Sequence, residues 1–293
     1  MAMTLPASGR RPLEYEVVDV FTDTAFAGNP LAVVLGAEDL DTAQLQAIAN
    51  EFNLSETSFP MDVAPPEYRL RIFTPEMELP FAGHPSVGAA WVLAQRGLLQ
   101  PGPVVQACGA GRLALEVGDG LVTLTGGTPT CSEPLTAGPV LKAVGLAGRD
   151  LIGVEPRTCG TGLEWTYLLV RSDALERCAP DIAALKKVGG AGVSVFSWDG
   201  EQAHARVFAG GVGVAEDPAT GSAALGLGVY LVATGLLAHG GAYTVLQGVE
   251  MGRPSRLDCD VVAEGGRAVS AQVGGGVVPV ATGRIRVPPL TPR

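Results

Sequence analysis

The chain has 293 residues, 47 % of them hydrophobic and 17 % charged, enough to bury a large core and to form two domains. Thirty acidic residues against 20 basic ones give a net charge of −10 and a pI near 4.8, so the chain lacks the basic face that nucleic acids and anionic membranes require. Forty glycines with only 5 % aromatic residues suit a β-rich structure with tight turns and closely approaching backbones.

Residues 1–12 read as a loose leader, because acidic Glu14, Glu16 and Asp19 follow at once and leave no apolar signal-peptide core. Leu13 to Phe21 alternates as a strand, Gly28-Asn29-Pro30 turns, and Leu31 to Leu35 is a second strand. Asp41 or Thr42 caps a helix whose Leu45, Ile48, Ala49 and Phe52 form one apolar face, ending near Asn53. Ser55 to Phe59 and Tyr68 to Phe73 are strands, the latter with Arg69 and Arg71 opposite Leu70 and Ile72. An apolar helix then starts around His84-Pro85 and stops at Gly97-Leu98-Leu99. Val104-Val105, Leu113 to Val117 and Leu121 to Leu124 form a meander turning at Gly118-Asp119-Gly120, and Gly126 to Pro139 is the linker.

Beyond the linker the pattern predicts a short helix at Leu141 to Val144, a strand at Thr166 to Val170 and a helix at Asp181 to Val188. A strand pair, Val193 to Trp198 and Ala203 to Phe208, turns around Asp199-Gly200. Glu216-Asp217-Pro218 leads into a helix that is apolar on all sides, with Pro218 as its first residue, where a missing N–H costs nothing. Four strands close the chain: Ala242 to Gln247, Arg256 to Ala263, Ala268 to Val273 and Val277 to Arg286. Gly221 to Ala238 approaches the length of a membrane span. Glycines at 221, 226, 228 and 235 and flanking Asp217 and His239 instead predict a helix wrapped by protein.

The two apolar helices belong to a repeat. Arg71-Ile72-Phe73, His84-Pro85 and Gly97-Leu98-Leu99 recur as Arg206-Val207-Phe208, Asp217-Pro218 and Gly235-Leu236-Leu237. Two related lobes follow, one over 13–126, the other over 127–279.

Each apolar helix presents unpaired N–H groups and a partial positive charge at its start, an end that binds carboxylates. If the lobes face each other, both ends aim at one cleft, where a substrate anion and a developing enolate are held without a metal. The residues ahead of the two prolines, His84 and Asp217, both exchange protons, and each also reads as a plain helix cap. Glu56 stands between a helix end and an apolar strand. Taken alone it is a surface carboxylate; in an apolar cleft it would be a base working near neutral pH. The five cysteines (Cys108, Cys131, Cys159, Cys178, Cys259) are widely spaced and contain no C-x-x-C pair. They suggest neither a zinc site nor a disulfide framework, and fit a reducing cytosol.

Five motifs in order, Phe26-Ala27-Gly28-Asn29-Pro30, Ala49 to Phe59 (ANEFNLSETSF), Arg71 to Pro75, Gly83-His84-Pro85 and Glu216 to Ala223 (EDPATGSA), resemble the phenazine-biosynthesis PhzF-like isomerase family. The resemblance implies an α+β, diaminopimelate-epimerase-like fold: two pseudo-symmetric lobes, each a β-barrel-like sheet around a central apolar helix, with the site between them. It implies Glu56 as the proton-shuttling acid/base, His84 and Asp217 as supporting catalytic residues, and Gly83, Gly221 and Ser222 as donors to the substrate's carboxylate. In the best-known reaction of that family one carboxylate moves a proton across a dihydro-hydroxyanthranilate. The same resemblance implies a homodimer that acts on a small anionic metabolite with no cofactor, and a C-terminal strand at 280–287 that returns to the first lobe; the cytoplasmic location is the expectation from the cysteine usage. Two features depart from the relatives. Epimerases of this fold place a cysteine at each helix start, whereas no cysteine lies in either motif here. The proline that usually follows Phe-Ala is absent from Ala209-Gly210-Gly211-Val212-Gly213.

Three functions fit these residues: a cofactor-independent isomerase, a two-base amino-acid racemase or epimerase of the same fold, and a non-catalytic binder of small acids. The intact Glu56, His84 and Asp217 favour the first.

Overall fold

The computed structural model describes residues 11–212 and 214–289. The expected leader therefore lies, up to residue 10, outside the described residues. Strand β1 (Leu13–Val20) pairs antiparallel with β2 (Asn29–Leu35), which already begins at the asparagine and proline read as a turn. Helix α1 (Thr42–Phe52) opens on a reciprocal cap. The Gln44 N–H donates to the Asp41 carboxylate and the Asp41 N–H donates to Gln44 Oε1, so two of the helix's orphan donors are satisfied. It ends at Asn53, in a left-handed conformation with φ 51°.

Strand β3 (Glu56–Ala64) runs parallel to β2, and β4 (Glu67–Phe73) returns antiparallel with Leu70 and Ile72 buried. The two-residue β5 (Glu78–Leu79) leads into α2 (Gly83–Gln95), and the meander β6 (Gly102–Cys108), β7 (Gly111–Val117), β8 (Leu121–Thr125) follows. The stretch read as a linker contributes β9 (Thr130–Cys131) and the start of α3 (Ala137–Ala143). Then come β10 (Arg157–Gly160), β11 (Glu164–Leu169), α4 (Ile182–Val188), β12 (Val193–Trp198) and β13 (Gln202–Phe208). Helix α5 (Gly221–Ala233), β14 (Gly240–Gln247), β15 (Ser255–Glu264) and β16 (Arg267–Ile285) complete the order.

The two strands expected at the C-terminus are a single strand of 19 residues. Gly274-Gly275-Gly276 looks like a break but runs straight through, because neighbouring chain leaves no room for side chains. A Cβ there would come within 2.8 Å of Thr123, 2.6 Å of Phe21 and 2.7 Å of the Thr22 carbonyl. β16 pairs with β15 over its first part, with β8 across the glycines, and with β1 from Val277 onward. In consequence β1, β2, β3, β4, β6, β7, β8 and β16 close into a ring, while β16, β15, β14, β13, β12, β11, β10 and β9 form an open curved sheet. Each half carries one apolar helix. α2 lies against β1, β2, β3, β7, β8 and β16, and α5 against β9, β10, β11, β14, β15 and β16. Both helices are buried along nearly their whole length, as an all-apolar helix must be. No helix among the described residues is long and apolar enough to cross a membrane.

The repeat is real, but its register at the helix starts differs from the one read from the prolines. α2 and α5 are each 13 residues long and stop at equivalent Gly-Leu-Leu segments. Gly83 is thereby equivalent to Gly221 and His84 to Ser222; pairing His84-Pro85 with Asp217-Pro218 is displaced by five residues. Pro218 lies outside the helix, and neither His84 nor Asp217 is a cap. The caps are Ala82 and Thr220. The cause is a long-range pairing: the Asp217 N–H donates to the Val207 carbonyl in an isolated antiparallel bridge, which keeps the chain extended beyond the proline. Pro85 sits inside the first turn of α2, where no N–H has a partner in any case. One further correction concerns the cysteines. Cys131 on β9 stands directly opposite Cys159 on β10, and the two are disulfide-bonded although 28 residues apart in sequence.

Candidate active site

Helices α2 and α5 meet at their amino ends. A Cβ on Gly83 would lie 3.0 Å from Gly221 Cα and from the Ser222 nitrogen, so only glycine lets the two backbones approach this closely. Neither helix receives a side-chain cap: Ala82 has no polar atom, and the Thr220 hydroxyl donates instead to Asp217 Oδ2 at 2.5 Å. The N–H groups of Gly83, Gly221 and Ser222 therefore keep their partial positive charge uncompensated by a capping side chain.

These ends form one wall of a cavity of about 250 Å³. Glu56, His84, Asp217, Gly83, Gly221 and Ser222, all six residues singled out from the sequence, line it together. The remaining wall is largely apolar, from Leu79, Phe81, Leu163, Trp165 and Val214. The Ser222 hydroxyl accepts a bond from Trp165 Nε1 at 3.1 Å, which leaves its own proton for another acceptor. Among the described residues no Lys or Arg lines the cavity, and the positive potential they provide there comes from the helix ends.

Glu56 is the first residue of β3, in register with Leu31 of β2. That pairing brings the start of β3 beside Asn29 at the start of β2, where the Ser55 hydroxyl donates to Asn29 Oδ1 at 3.0 Å. Glu56 Oε2 lies 3.4 Å from His84 Nε2. Both atoms are buried and neither has a hydrogen-bond partner. The contact is not an ion pair, because burial moves the two groups in opposite directions. The imidazole is pushed down to about 3 by loss of solvent. Glu56 is raised from 4.5 to about 8, first by burial and then by the charge of Asp217, with the Ser55 hydroxyl offsetting part of the rise. Asp217 itself is raised from 3.8 to about 6 by burial, against the bonds it accepts from Thr220 and Asn29. Burial thus favours the neutral ring of His84 and raises the proton affinity of both carboxyls, that of Glu56 the more.

Three residues that the sequence left without a role complete the polar network. Asn29 Nδ2 donates to Asp217 Oδ1 at 2.8 Å and to the Ala219 carbonyl at 2.9 Å, and lies 3.1 Å from His84 Nδ1. Gln247 Nε2 donates to the Asp217 carbonyl at 2.7 Å and to Thr220 Oγ1 at 3.0 Å, while Gln247 Oε1 accepts the Thr220 N–H. Asn29 and Thr220 lie within the family-like motifs at 26–30 and 216–223. Gln247 is the last residue of an ordinary strand and carries no local signal. The cysteines stay off the cavity wall, and among the described residues no three His, Cys, Asp or Glu side chains gather as metal ligands would.

Comparisons with known proteins bear on the family and the fold. The family model described as Phenazine biosynthesis-like protein (PhzC-PhzF) matches residues 18–283. The chain belongs to the PhzF-like family. A PhzF-like relative, trans-2,3-dihydro-3-hydroxyanthranilate isomerase of Pseudomonas aeruginosa, is 35 % identical over 281 residues, spanning 92 % of this chain and 98 % of the relative. Together with further isomerases among the PhzF-like relatives, this makes the chain an enzyme of the isomerase class. The crystal structure of a Bacillus anthracis phenazine biosynthesis protein of the PhzF family superposes with a TM-score of 0.85 at 24 % identity, covering 94 % of this chain and 99 % of that one. A hydroxyproline epimerase from Agrobacterium vitis shares the fold alone, with a TM-score of 0.61 at 14 % identity over 94 % of this chain and 93 % of that one. The architecture is mixed α+β with a β-barrel sheet, of the diaminopimelate-epimerase-like kind.

Proposed function

We propose that the protein moves a proton from one carbon to another of a small carboxylate-bearing substrate held between the two halves of the sheet, with Glu56 as the acid/base. The observation that carries this reading is the contact between Glu56 Oε2 and His84 Nε2, 3.4 Å apart, buried and without other partners, at the wall of a cavity closed by two uncapped helix starts. A raised proton affinity makes Glu56 a strong base once ionised and a competent acid afterwards. The substrate's carboxylate sits against the N–H groups of Gly83, Gly221 and Ser222, and negative charge that spreads onto it when the C–H bond breaks is stabilised by the same dipoles. Glu56 then returns the proton to a different carbon of the conjugated system. His84 donates toward the Glu56 carboxylate, and the fixed charge of Asp217 raises the basicity of Glu56.

A two-base racemase fits less well. It needs bases on opposite faces of one stereocentre, whereas Glu56 and His84 touch each other, and the capping positions Ala82 and Thr220 carry no thiol. A pure binder has no use for a buried carboxyl of high proton affinity.

The test uses trans-2,3-dihydro-3-hydroxyanthranilate, the compound named in the Pseudomonas relative, and a panel of small unsaturated carboxylates in deuterated water. Deuterium should enter carbon positions of a turned-over substrate, and Glu56→Gln should slow this by about 10²- to 10⁴-fold, the usual contribution of a positioned acid/base. Wild-type rates in that variant would remove Glu56 from the mechanism.

A further inference from the structure

Asn29 is fully buried and does not line the cavity, yet three acceptors crowd its amide nitrogen. One of them, the Ala219 carbonyl, has no proton to give, so the group facing it at 2.9 Å has to be the NH₂ of Asn29 rather than its oxygen. The other end of the amide agrees, since Asn29 Oδ1 receives the Ser55 hydroxyl. With the amide fixed, its two N–H groups are shared among three acceptors, and the nitrogen that faces His84 Nδ1 at 3.1 Å cannot accept a proton. An imidazole carrying a proton on Nδ1 would point it at another N–H. Nδ1 therefore offers its lone pair, and the single proton of the neutral ring is on Nε2, the nitrogen aimed at Glu56 Oε2.

We infer that Asn29 is a positioning residue that fixes His84 in its Nε2–H tautomer. The same NH₂ holds Asp217 Oδ1 at 2.8 Å, and Gln247 acts in parallel on the other oxygen. By donating to Thr220 Oγ1, Gln247 leaves the threonine's only proton for Asp217 Oδ2. Both carboxylate oxygens of Asp217 are thus engaged by donors, Asn29 Nδ2 and the Thr220 hydroxyl. Of the three ionisable side chains at the cavity, two have their hydrogen-bonding roles set by Asn29 and Gln247, and Glu56 is the one left to gain and lose a proton. The tautomer follows from the hydrogen bonds alone; its use in catalysis rests on the acid/base reading above.

The test is long-range ¹H–¹⁵N correlation NMR of the uniformly labelled full chain, which has only three histidines to resolve, with His84→Asn used solely to assign the His84 signals. The wild type should show an unprotonated Nδ1 and a protonated Nε2 for His84. Asn29→Asp places an acceptor where the NH₂ was, and should reverse the pattern to Nδ1–H or charge the ring. Asn29→Ala, the fallback if that variant does not fold, should give a mixture of tautomers. In either variant deuterium exchange into substrate should fall at least 10-fold in kcat with KM little changed, because the anion-binding helix ends are untouched. An Nδ1–H tautomer in the wild type, or an unaltered pattern in a folded Asn29 variant, overturns the inference whether or not a substrate has been found.

Discussion

Helices α1 and α4 begin as isolated peptide physics recommends. Asp41 and Asp181 each accept bonds from the first turn, satisfying donors that would otherwise be orphaned. Helices α2 and α5, which run through the largest core cluster, begin with no such cap. Ala82 could have been an aspartate at no cost in backbone geometry, since φ −151° and ψ 142° already suit a capping residue. The difference teaches where stability has been left unclaimed. At α1 and α4, away from the cavity, the helix starts are closed by side chains, and at the cavity those of α2 and α5 are left open; α3, off the cavity at Thr136, is uncapped as well, so an open start marks a candidate site only where two of them meet at a cavity.

Ala82→Asp breaks this contrast most sharply. The introduced carboxylate would cap α2, stabilise it by about 1 kcal/mol and occupy the N–H groups assigned to the substrate anion. Deuterium exchange into substrate should fall by about 100-fold or more, the usual loss when donors to a developing oxyanion are taken away. Thermal unfolding should be unchanged or raised. Retained turnover would show that the helix starts do not bind the anion.

A smaller effect sharpens the account of the charges between the two helix ends. Glu56 must be ionised to abstract a proton, so turnover should rise with pH through about 8, where the folded protein holds its pKa. In Asp217→Asn the burial that chiefly raises Glu56 remains and the second cause, the neighbouring charge, is gone. The midpoint of the pH profile should move to lower pH while staying above 4.5, because the larger cause, burial, remains. Stability carries the opposite sign. A carboxyl whose folded pKa is raised contributes stability that is complete below 4.5 and is lost as pH climbs through about 8, so Glu56→Gln should flatten that decline. A pH midpoint in Asp217→Asn equal to that of the wild type would mean that the two carboxylates do not sense each other.

Much of this was readable before any coordinates, because the signals were local. The alternation of β1, the periodic face and cap of α1, the meander over β6 to β8 and the two all-apolar helices each depend on residues a few positions apart. What escaped depends on partners distant in sequence. The start of α5 is set by a bridge between Val207 and Asp217 rather than by Pro218, and so the repeat was aligned five residues out of place. The triple glycine of β16 reads as a breaker until Thr123 and Phe21 are seen to fill the space. The Cys131–Cys159 bond needs the pairing of β9 with β10, within a segment that looked like linker. Gathering Glu56, His84, Asp217, Gly83, Gly221 and Ser222 in one cavity likewise takes both halves of the chain. For that the repeat and the family motifs supplied what periodicity alone does not, and neither gave any hint of Gln247.

The smallest effect tests the other side of the comparison. Asp41→Ala removes the carboxylate that accepts the Gln44 N–H and with it one half of the reciprocal cap. The helix it caps packs through Leu45, Ile48 and Ala49 onto a cluster that also contains Phe59, Met61 and Phe73, apart from the cavity lining. Loss of the cap should therefore cost about 1 kcal/mol in chemical denaturation and leave deuterium exchange at the wild-type rate. The same kind of change thus has opposite meanings at two helix starts: adding a cap at position 82 trades activity for stability, and deleting one at position 41 costs stability alone. If Asp41→Ala instead slowed turnover as strongly as it destabilised the fold, α1 would be coupled to the site through β3 and Glu56, and the division between closed and open helix starts would fail as a guide to function.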